Sequence, residues 1–190
     1  MDQIYTVTFN HHDYPLSIHN LDDDFGIALI DLIHQPQMMR DVAVEANRYI
    51  NKNIGNDIDI IVTPECRSIT LVTALALMNG CEIVMLRKAL KTYEENGLYW
   101  SVQCKSMTSS HPSNLFLTEE KAALMKNKRV LVLDDVASTG ETFIAIHSLL
   151  SQVEIKADFF AIFNEDSVKE SNFASLPSYY FLKTLPIFTK

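Results

Sequence analysis

The feature that most constrains this chain is the stretch VLVLDDVASTGET, at residues 130–142. It starts as an apolar run of the kind that forms a fully buried strand. Two adjacent acids, Asp134 and Asp135, follow at the strand end, and a turn of small and hydroxyl-bearing residues comes next. A strand that leads through such a turn into a helix leaves free backbone N–H groups where they can hold an anion. The stretch therefore predicts a phosphate-binding loop beside two carboxylates.

Strand patterns alternate with helical patterns along the rest of the chain. The predicted strands are at 58–64, 82–88, 129–135 and 157–163, and the predicted helices are at 36–53, 69–80, 118–128 and 140–153. Two extended arms are also predicted around a polar tip at 97–117, and a last extended segment at 179–188. This alternation is typical of an α/β fold, a doubly wound parallel sheet covered by helices on both faces.

Ligands of such sheets bind at the carboxyl ends of the strands, so residues 63–69, 87–91 and 134–142 should lie on one rim. Two acids would repel a lone phosphate, but they fit a ribose 5-phosphate. Its hydroxyls can donate to Asp134 and Asp135, whose charge would stabilise positive charge developing at C1. An ordinary polar turn, rich in Asp, Ser, Thr and Gly, remains the alternative.

Composition narrows the function classes. The chain has 190 residues, enough for one domain with a sizeable core, and a formal net charge of −8, which argues against nucleic-acid binding through a basic face. It has no apolar run of the ~18 residues that span a bilayer and no signal-peptide pattern, so we expect a cytoplasmic protein. Cys66, Cys81 and Cys104 show no CxxC spacing and are predicted to be reduced thiols. His11 and His12 are expected to be solvated.

The stretch VLVLDDVASTGET resembles the motif with which type I phosphoribosyltransferases bind phosphoribosyl pyrophosphate (PRPP). TPECRSI (63–69) is similar to the pyrophosphate-binding loop of the adenine-using members, and LRKALK (86–91) to their Arg-Lys-x-x-Lys segment. SVQCKSMTSS (101–110) lies where the family has its mobile catalytic loop. The resemblance extends from about residue 27 to the end of the chain.

The resemblance implies an enzyme, a pentosyltransferase that exchanges the pyrophosphate of PRPP for a nitrogenous base, with Mg²⁺ as cofactor. Asp134 and Asp135 would be the catalytic residues and would hold the metal only through water. The resemblance and the loop chemistry together predict PRPP contacts from Glu65, Cys66, Arg67, Ser68, Arg87, Lys88, Lys91, Val136, Ala137, Ser138, Thr139, Gly140, Glu141 and Thr142.

The resemblance also implies how the chain is organised. We expect a single domain across residues 1–190, with a core at about 36–163 and a small hood formed by about 1–35 and 164–190. The loop 101–116 would close over the site and exclude water. A homodimer is expected, with PRPP and a small-molecule base as ligands and with no nucleic acid or membrane as partner.

The base would lie under the hood, and the candidate contacts are Phe25, Phe163 and Asn164. Residues 164–166, Asn-Glu-Asp, offer oxygen acceptors where relatives that use 6-oxopurines place a lysine. Because an acceptor suits an amino group, adenine is favoured among the purines. The KSMT segment (105–108), which is similar to that of xanthine-using enzymes, points the other way. A PRPP-sensing regulator that keeps the pocket and lacks catalysis remains the alternative function.

Overall fold

The structure, a computed structural model, describes residues 4–20, 25–104, 113–166 and 173–189. The strands are Ile4–Phe9 (β1), His12–Asn20 (β2), Phe25–Ala28 (β3), Ile60–Pro64 (β4), Glu82–Leu86 (β5), Tyr99–Cys104 (β6), Ser113–Thr118 (β7), Val130–Ala137 (β8), Ala157–Glu165 (β9), Tyr179–Leu185 (β10) and Phe188–Thr189 (β11). The helices are Pro36–Asn53 (α1), Ile69–Asn79 (α2), Glu119–Met125 (α3) and Glu141–Ser151 (α4).

A five-stranded sheet forms the centre of the fold. Its strands run in the order β10-β9-β8-β4-β5, and every pair is parallel. β4 is buried along its whole length and β9 nearly so, as expected of strands covered on both faces. Helices α1 and α2 pack on one face, and α3 and α4 on the other. The predicted α/β fold with a doubly wound parallel sheet is confirmed.

The two helices with the clearest start and stop signals match their predicted bounds to within one residue. α1 begins at Pro36, a position where the missing N–H of proline costs no helical hydrogen bond. Its buried side chains, which include Met38, Val42 and Ala46, recur at helical spacing. α2 ends before Gly80, which caps it in the left-handed conformation at φ +69°.

A second sheet, in the order β1-β2-β3-β11, forms a hood from both ends of the chain. The N-terminal strands β1–β3 lie in this sheet, but the predicted C-terminal boundary of the hood, at residue 164, differs from the observed one. β9 continues to Glu165, and β10 pairs in parallel with it in the central sheet. Only β11 joins the hood, where Phe188 pairs with Gly26. The aromatic and β-branched residues of β10 (YYFLKTL) suit a strand.

The hood is fixed to α1 through a buried carboxylate. Asp41 has no exposed side-chain surface and accepts hydrogen bonds from the Tyr14 hydroxyl (2.5 Å) and from Asn10 Nδ2 (3.3 Å). His12 Nδ1 lies 2.7 Å from Asp41 Oδ2, the same oxygen that accepts from the Tyr14 hydroxyl. The hydrogen bonds, that of Tyr14 foremost, lower the pKa of Asp41 to about 2. His12, predicted to be solvated, is half exposed and also contacts Asp41.

Strands β6 and β7 form a separate antiparallel ribbon. The ribbon meets the edge of the central sheet where Arg87, just after β5, bridges to Phe116 of β7. The predicted polar tip, residues 105–112, lies outside the described residues, as does most of the loop expected to be mobile. Within the part of the chain that the structure describes, no helix has the length and apolar character needed to cross a membrane.

Candidate active site

A cleft of about 200 Å³ opens at the carboxyl ends of β4, β8 and β9. It lies between the loop that follows β8 and the hood segment that follows β3. Its lining unites residues from all of these elements: Ile27, Ala28, Leu29, Ile30, Pro64, Glu65, Cys66, Arg67, Lys88, Cys104, Ser113, Leu115, Asp134, Asp135, Val136, Ala137, Ser138, Thr139, Gly140, Thr142, Phe143 and Glu165. Most of the residues predicted to bind PRPP therefore face one cavity.

Two acids at the end of β8 are the most constrained groups in this cleft. Asp135 is 5% exposed, and its carboxylate accepts hydrogen bonds from Arg67 Nη2 (3.3 Å) and the backbone N–H of Val136 (2.9 Å). Arg67 Nε lies 3.2 Å from its other oxygen. Ser68 donates its hydroxyl proton to Asp134 and accepts from the backbone N–H of Asp135. Ser68 thus orients both acids from outside the cleft lining.

Burial, together with the charge of Asp135, raises the pKa of Asp134 above its usual range. Two carboxyl groups this close can share a proton, which lowers the repulsion between them and toward an anionic ligand. With a shared proton, the acid pair carries less negative charge and can lie beside a phosphate group.

The turn after β8 has the geometry of an anion-binding loop. It leads into the N-terminus of α4, an 11-residue helix that begins at Glu141, and helix N-termini carry partial positive charge. Gly140 adopts φ +79°, and a Cβ there would lie 2.6 Å from Cε1 of Phe173. Glycine is therefore required at this position, both by the backbone angle and by the aromatic ring packed against it.

The loop after β4 brings a second group of predicted residues into the cleft. Glu65 Oε2 accepts a hydrogen bond from the backbone N–H of Lys88 (3.0 Å), which ties this loop to the end of β5. The peptide bond between Glu65 and Cys66 is cis. Cys66 is exposed, Arg67 is half exposed, and both line the cleft. The three cysteines are free thiols, as predicted.

Four predicted PRPP contacts lie outside the cleft lining: Ser68, which orients the acid pair, and Arg87, Lys91 and Glu141. Arg87 Nε is 3.7 Å from Glu94 Oε1, and the backbone N–H of Lys91 donates to Glu94 Oε2. Both residues therefore engage the short loop after β5, whereas Lys88 between them faces the cleft. Glu141 is exposed at the start of α4. The RKALK pattern predicted clustered cations but not which of them point inward.

The candidate base contacts are the least successful of the predictions. Phe163 has no exposed surface and packs edge to face against Phe9, so in this structure it is a core residue and cannot stack on a base. Asn164 is also buried, and its amide is occupied by the Tyr179 hydroxyl (2.8 Å) and the carbonyl of Glu165 (3.2 Å). Phe25 is 47% exposed but does not line the cleft.

The cleft also contains residues that did not enter the predicted set. Ile27–Ile30 form its hood side, and Cys104 closes it from β6. Glu165, the last residue of β9, is 6% exposed and also lines it. A carboxylate at the end of a buried strand is the signal that points to Glu165, because the same signal identifies Asp134 and Asp135. Nothing in the apolar run FGIAL distinguishes lining residues from core residues.

No group of three or more His, Cys, Asp or Glu side chains able to hold a metal occurs among the described residues. The donor set at the end of β8, two carboxylates with part of their oxygens already hydrogen-bonded, suits Mg²⁺. This ion is commonly bound by one or two carboxylates together with water and substrate phosphates. Asp134 and Asp135 are the residues that fit it.

Comparison with known proteins identifies the family. Residues 30–169 match the family described as phosphoribosyl transferase domain. The chain belongs to the phosphoribosyltransferase family. Its predicted membership and its predicted class of enzyme, a PRPP-dependent glycosyltransferase, are confirmed at the level of that family.

Individual relatives give a finer comparison. The hypoxanthine/guanine phosphoribosyltransferase of Methanotorris igneus is 34% identical over 78% of this chain and 73% of the relative. HGPRTase-like protein 1 of Halalkalicoccus jeotgali is 34% identical over 67% of this chain and 61% of the relative, so the chain spans less than two thirds of that protein. APRTase from Giardia lamblia, solved with 9-deazaadenine, has a TM-score of 0.66 at 17% identity and covers 95% of this chain and 93% of its own. That likeness shows the fold.

Proposed function

We propose that this protein transfers ribose 5-phosphate from PRPP to a purine and releases pyrophosphate. The observation that carries the proposal is the single cleft that unites the acid pair Asp134–Asp135, the loop 138–142 and the cations Arg67 and Lys88. Each group matches one part of PRPP: ribose hydroxyls, 5-phosphate and diphosphate. Membership of the phosphoribosyltransferase family supports the same assignment.

In the proposed reaction the bond between C1 and the diphosphate oxygen breaks, and its electron pair leaves on pyrophosphate. A nitrogen of the base forms the new bond to C1 and gives up its proton to the departing pyrophosphate or to water. The charge of Asp135, held in place by Ser68 and Arg67, stabilises the positive character that develops at C1. The backbone N–H groups at the start of α4 hold the 5-phosphate and fix the ribose for attack.

Mg²⁺ is the cofactor that this assignment implies. Asp134 and Asp135 would hold it, through water or the ribose hydroxyls, and the bound ion would neutralise charge on the leaving diphosphate. Since Arg67 already engages both oxygens of Asp135, the aspartate pair itself leaves little room for direct ligation by the protein.

Adenine is the base that we favour. The described end of β9 offers the cleft the carboxylate oxygens of Glu165 but no lysine, and such acceptors match an amino group better than a carbonyl oxygen. Hypoxanthine or guanine is the second candidate. One relative that is 34% identical is named hypoxanthine/guanine phosphoribosyltransferase, and another of the same identity is named HGPRTase-like protein 1.

The test is to incubate the protein with PRPP, Mg²⁺ and single bases, and to measure pyrophosphate and nucleoside monophosphate. Formation of a nucleotide from a purine supports the proposal. Preference for hypoxanthine or guanine over adenine would overturn the choice of base alone. PRPP binding without turnover of any base would instead favour the regulatory alternative.

A further inference from the structure

One edge of the Arg67 guanidinium is bound to Asp135. Nε lies 3.2 Å from Oδ2, and Nη2 lies 3.3 Å from Oδ1. This is the two-point geometry with which a planar guanidinium holds a carboxylate. The contact leaves Nη1 and one N–H of Nη2 outside it, and the side chain is 50% exposed and lines the cleft. Arg67 can therefore bind an anion in the cleft without releasing Asp135.

The backbone of Arg67 is fixed to the same pair of acids. The next residue, Ser68, is 1% exposed, donates its hydroxyl proton to Asp134 and accepts from the backbone N–H of Asp135. The carbonyl of Ser68 accepts from the backbone N–H of Val72 (2.9 Å) in the first turn of α2. The loop after β4 and the end of β8 are thus joined twice, through the Arg67 side chain and through Ser68. A displacement of Arg67 would therefore also disturb Asp135.

The charges around the cleft favour a cation that serves more than one partner. Four acids and two cations line the part of the cleft that the structure describes: Glu65, Asp134, Asp135, Glu165, Arg67 and Lys88. PRPP would add the negative charge of its phosphate and diphosphate groups. Because the acids outnumber the cations, a cation that contacts both an acid and the diphosphate lowers the repulsion at both places.

Resting on the proposed function, we infer that Arg67 is also a positioning residue, which holds Asp135 beside C1 with its Nε edge while its Nη1 edge binds the diphosphate. When the bond from C1 to the diphosphate oxygen breaks, the electron pair passes to the diphosphate and positive character develops at C1. Arg67 contacts the leaving group directly and acts on C1 through Asp135. The guanidinium stays protonated throughout, so no proton moves on it. One side chain thereby fixes the acid and the leaving group relative to each other.

The first test is Arg67→Lys. An ammonium group keeps the positive charge for the diphosphate, but it is a point charge that cannot also hold a carboxylate at two points. We expect kcat to fall by about 10- to 30-fold while the Kd for PRPP rises by less than about fivefold. Arg67→Met, which loses both contacts, should in addition raise the Kd for PRPP by at least about tenfold. A kcat for Arg67→Lys within about twofold of that of the unchanged protein would overturn the inference.

Combination with Asp135→Asn separates positioning of the acid from a contact to the diphosphate alone. If Arg67 affects turnover through Asp135, Arg67→Lys should lower kcat by less than about twofold in the Asp135→Asn protein, because the charge that it positions is already absent. If Arg67 acts on the diphosphate alone, the two losses of kcat should multiply. Multiplied losses are therefore incompatible with the inference.

Arg129 and Asp158 provide a matched control pair. Arg129 Nη2 lies 2.8 Å from Asp158 Oδ2, and Arg129 is 44% exposed, much like Arg67. Asp158 is the second residue of β9, so this ion pair lies at the amino end of the strand, away from the cleft. Arg129→Lys and Asp158→Asn should leave kcat and the Kd for PRPP unchanged, and thermal unfolding shows that every variant is folded at the assay temperature. A loss of kcat in Arg129→Lys as large as that in Arg67→Lys would contradict the inference.

Failure of the inference and failure of the proposed function give different results. If a base is converted and the losses of kcat multiply, the proposed function stands and the inference fails. If no base is converted but PRPP binds, Arg67→Met should raise the Kd for PRPP at least about fivefold more in the unchanged protein than in Asp135→Asn, because Asp135 would otherwise remain as an unpaired charge beside the diphosphate. Effects on Kd that simply multiply would then rule the inference out. A protein that neither converts a base nor binds PRPP would refute both.

Discussion

At the residue scale, Asp135 shows how the fold fixes one functional carboxylate. Its oxygens are held by the guanidinium of Arg67 and the backbone N–H of Val136, and its own N–H is held by Ser68. Such a carboxylate has little freedom to reorient during a reaction, so its charge is preorganised toward the position where C1 would lie. The charge of Asp135 should therefore stabilise the transition state more than it stabilises bound PRPP.

We predict that Asp135→Asn lowers kcat by roughly 100-fold while the Kd for PRPP changes by less than about fivefold, because the amide keeps the shape and loses the charge. Rapid-mixing measurement of turnover, together with equilibrium binding of PRPP, separates the two quantities. Glu82→Gln, an exposed acid on β5, is the control for removal of one negative charge. A normal turnover with collapsed PRPP affinity would show that Asp135 is only a binding residue.

At the element scale, the turn before α4 depends on the packing of the C-terminal part of the chain. The ring of Phe173 packs against Gly140 and stacks on Tyr179 at a centroid distance of 3.7 Å. Tyr179 belongs to β10, so a strand at the edge of the sheet supports the loop at its centre. The loop is therefore shaped from two sides, by its own sequence and by this aromatic pair.

Gly140→Ala and Gly80→Ala form a matched pair. Both glycines have positive φ, +79° and +69°, so each substitution should lower the free energy of unfolding by about 1–2 kcal/mol. At Gly80 nothing lies within 4 Å of the new methyl group, whereas at Gly140 it meets Phe173. Only Gly140→Ala should therefore also weaken PRPP binding, by about tenfold or more. Denaturant unfolding and PRPP titration of both variants provide the measurement, and equal PRPP affinity would contradict the assigned role of the loop.

Elements with explicit local signals were the ones that sequence could predict. α1 and α2 carry a proline and a glycine at their ends, and β8 carries two acids and a small-residue turn, so the bounds of the two helices and the position of the turn follow from local chemistry. The failures depend on tertiary contacts. Phe163 is a plausible stacking residue until Phe9 of a distant strand covers it. The sequence-based boundary assigns β10 to the hood, because no local feature of a strand shows which of two sheets it will join.

At the scale of the whole molecule, the hood depends on charges that join it to the core. Asp41 of α1 accepts hydrogen bonds from the β1–β2 hairpin, and Glu45 of α1 accepts one from the backbone N–H of Asn10 in the same hairpin at 3.0 Å. Since the hood also supplies one wall of the cleft, the stability of this junction and the affinity for the base should be coupled.

We predict that the junction weakens in acid because of Asp41. Its pKa in the folded protein is about 2, below the ordinary value of 3.8, so its contribution to stability is complete above about pH 4 and is lost as the pH falls toward 2. The Asp41→Asn protein should have a lower free energy of unfolding at pH 7 than the unchanged protein. It should also lose less of that free energy as the pH falls from about 4 toward 2. Asp57→Asn is the control, because Asp57 is exposed and lies outside the hood junction. Thermal unfolding from pH 2 to pH 7 gives the comparison, and parallel curves for Asp41→Asn and the unchanged protein would contradict it.

The family resemblance also predicts a homodimer in which a cation of one subunit reaches the diphosphate of the other. Arg87 is the better candidate, because Lys88 faces the cleft of its own chain and Arg87 does not. Purified heterodimers of Arg87→Ala and Asp135→Asn subunits should recover a substantial part, at most about half, of normal activity, since one of the two sites would be intact. Activity no higher than that of the homodimeric variants would argue against an active site that includes Arg87 of the other subunit.

The pairing of β3 with β11 has a consequence for synthesis of the chain. Phe188 meets Gly26, so the fourth hood strand leaves the ribosome long after the first three. At about 5–20 residues per second the delay is on the order of ten seconds or more. During that interval one edge of β3 has no neighbour, and unpaired edges recruit foreign strands. Cells that make this protein should therefore benefit from a chaperone that shields the nascent N-terminal strands until β11 has left the ribosome.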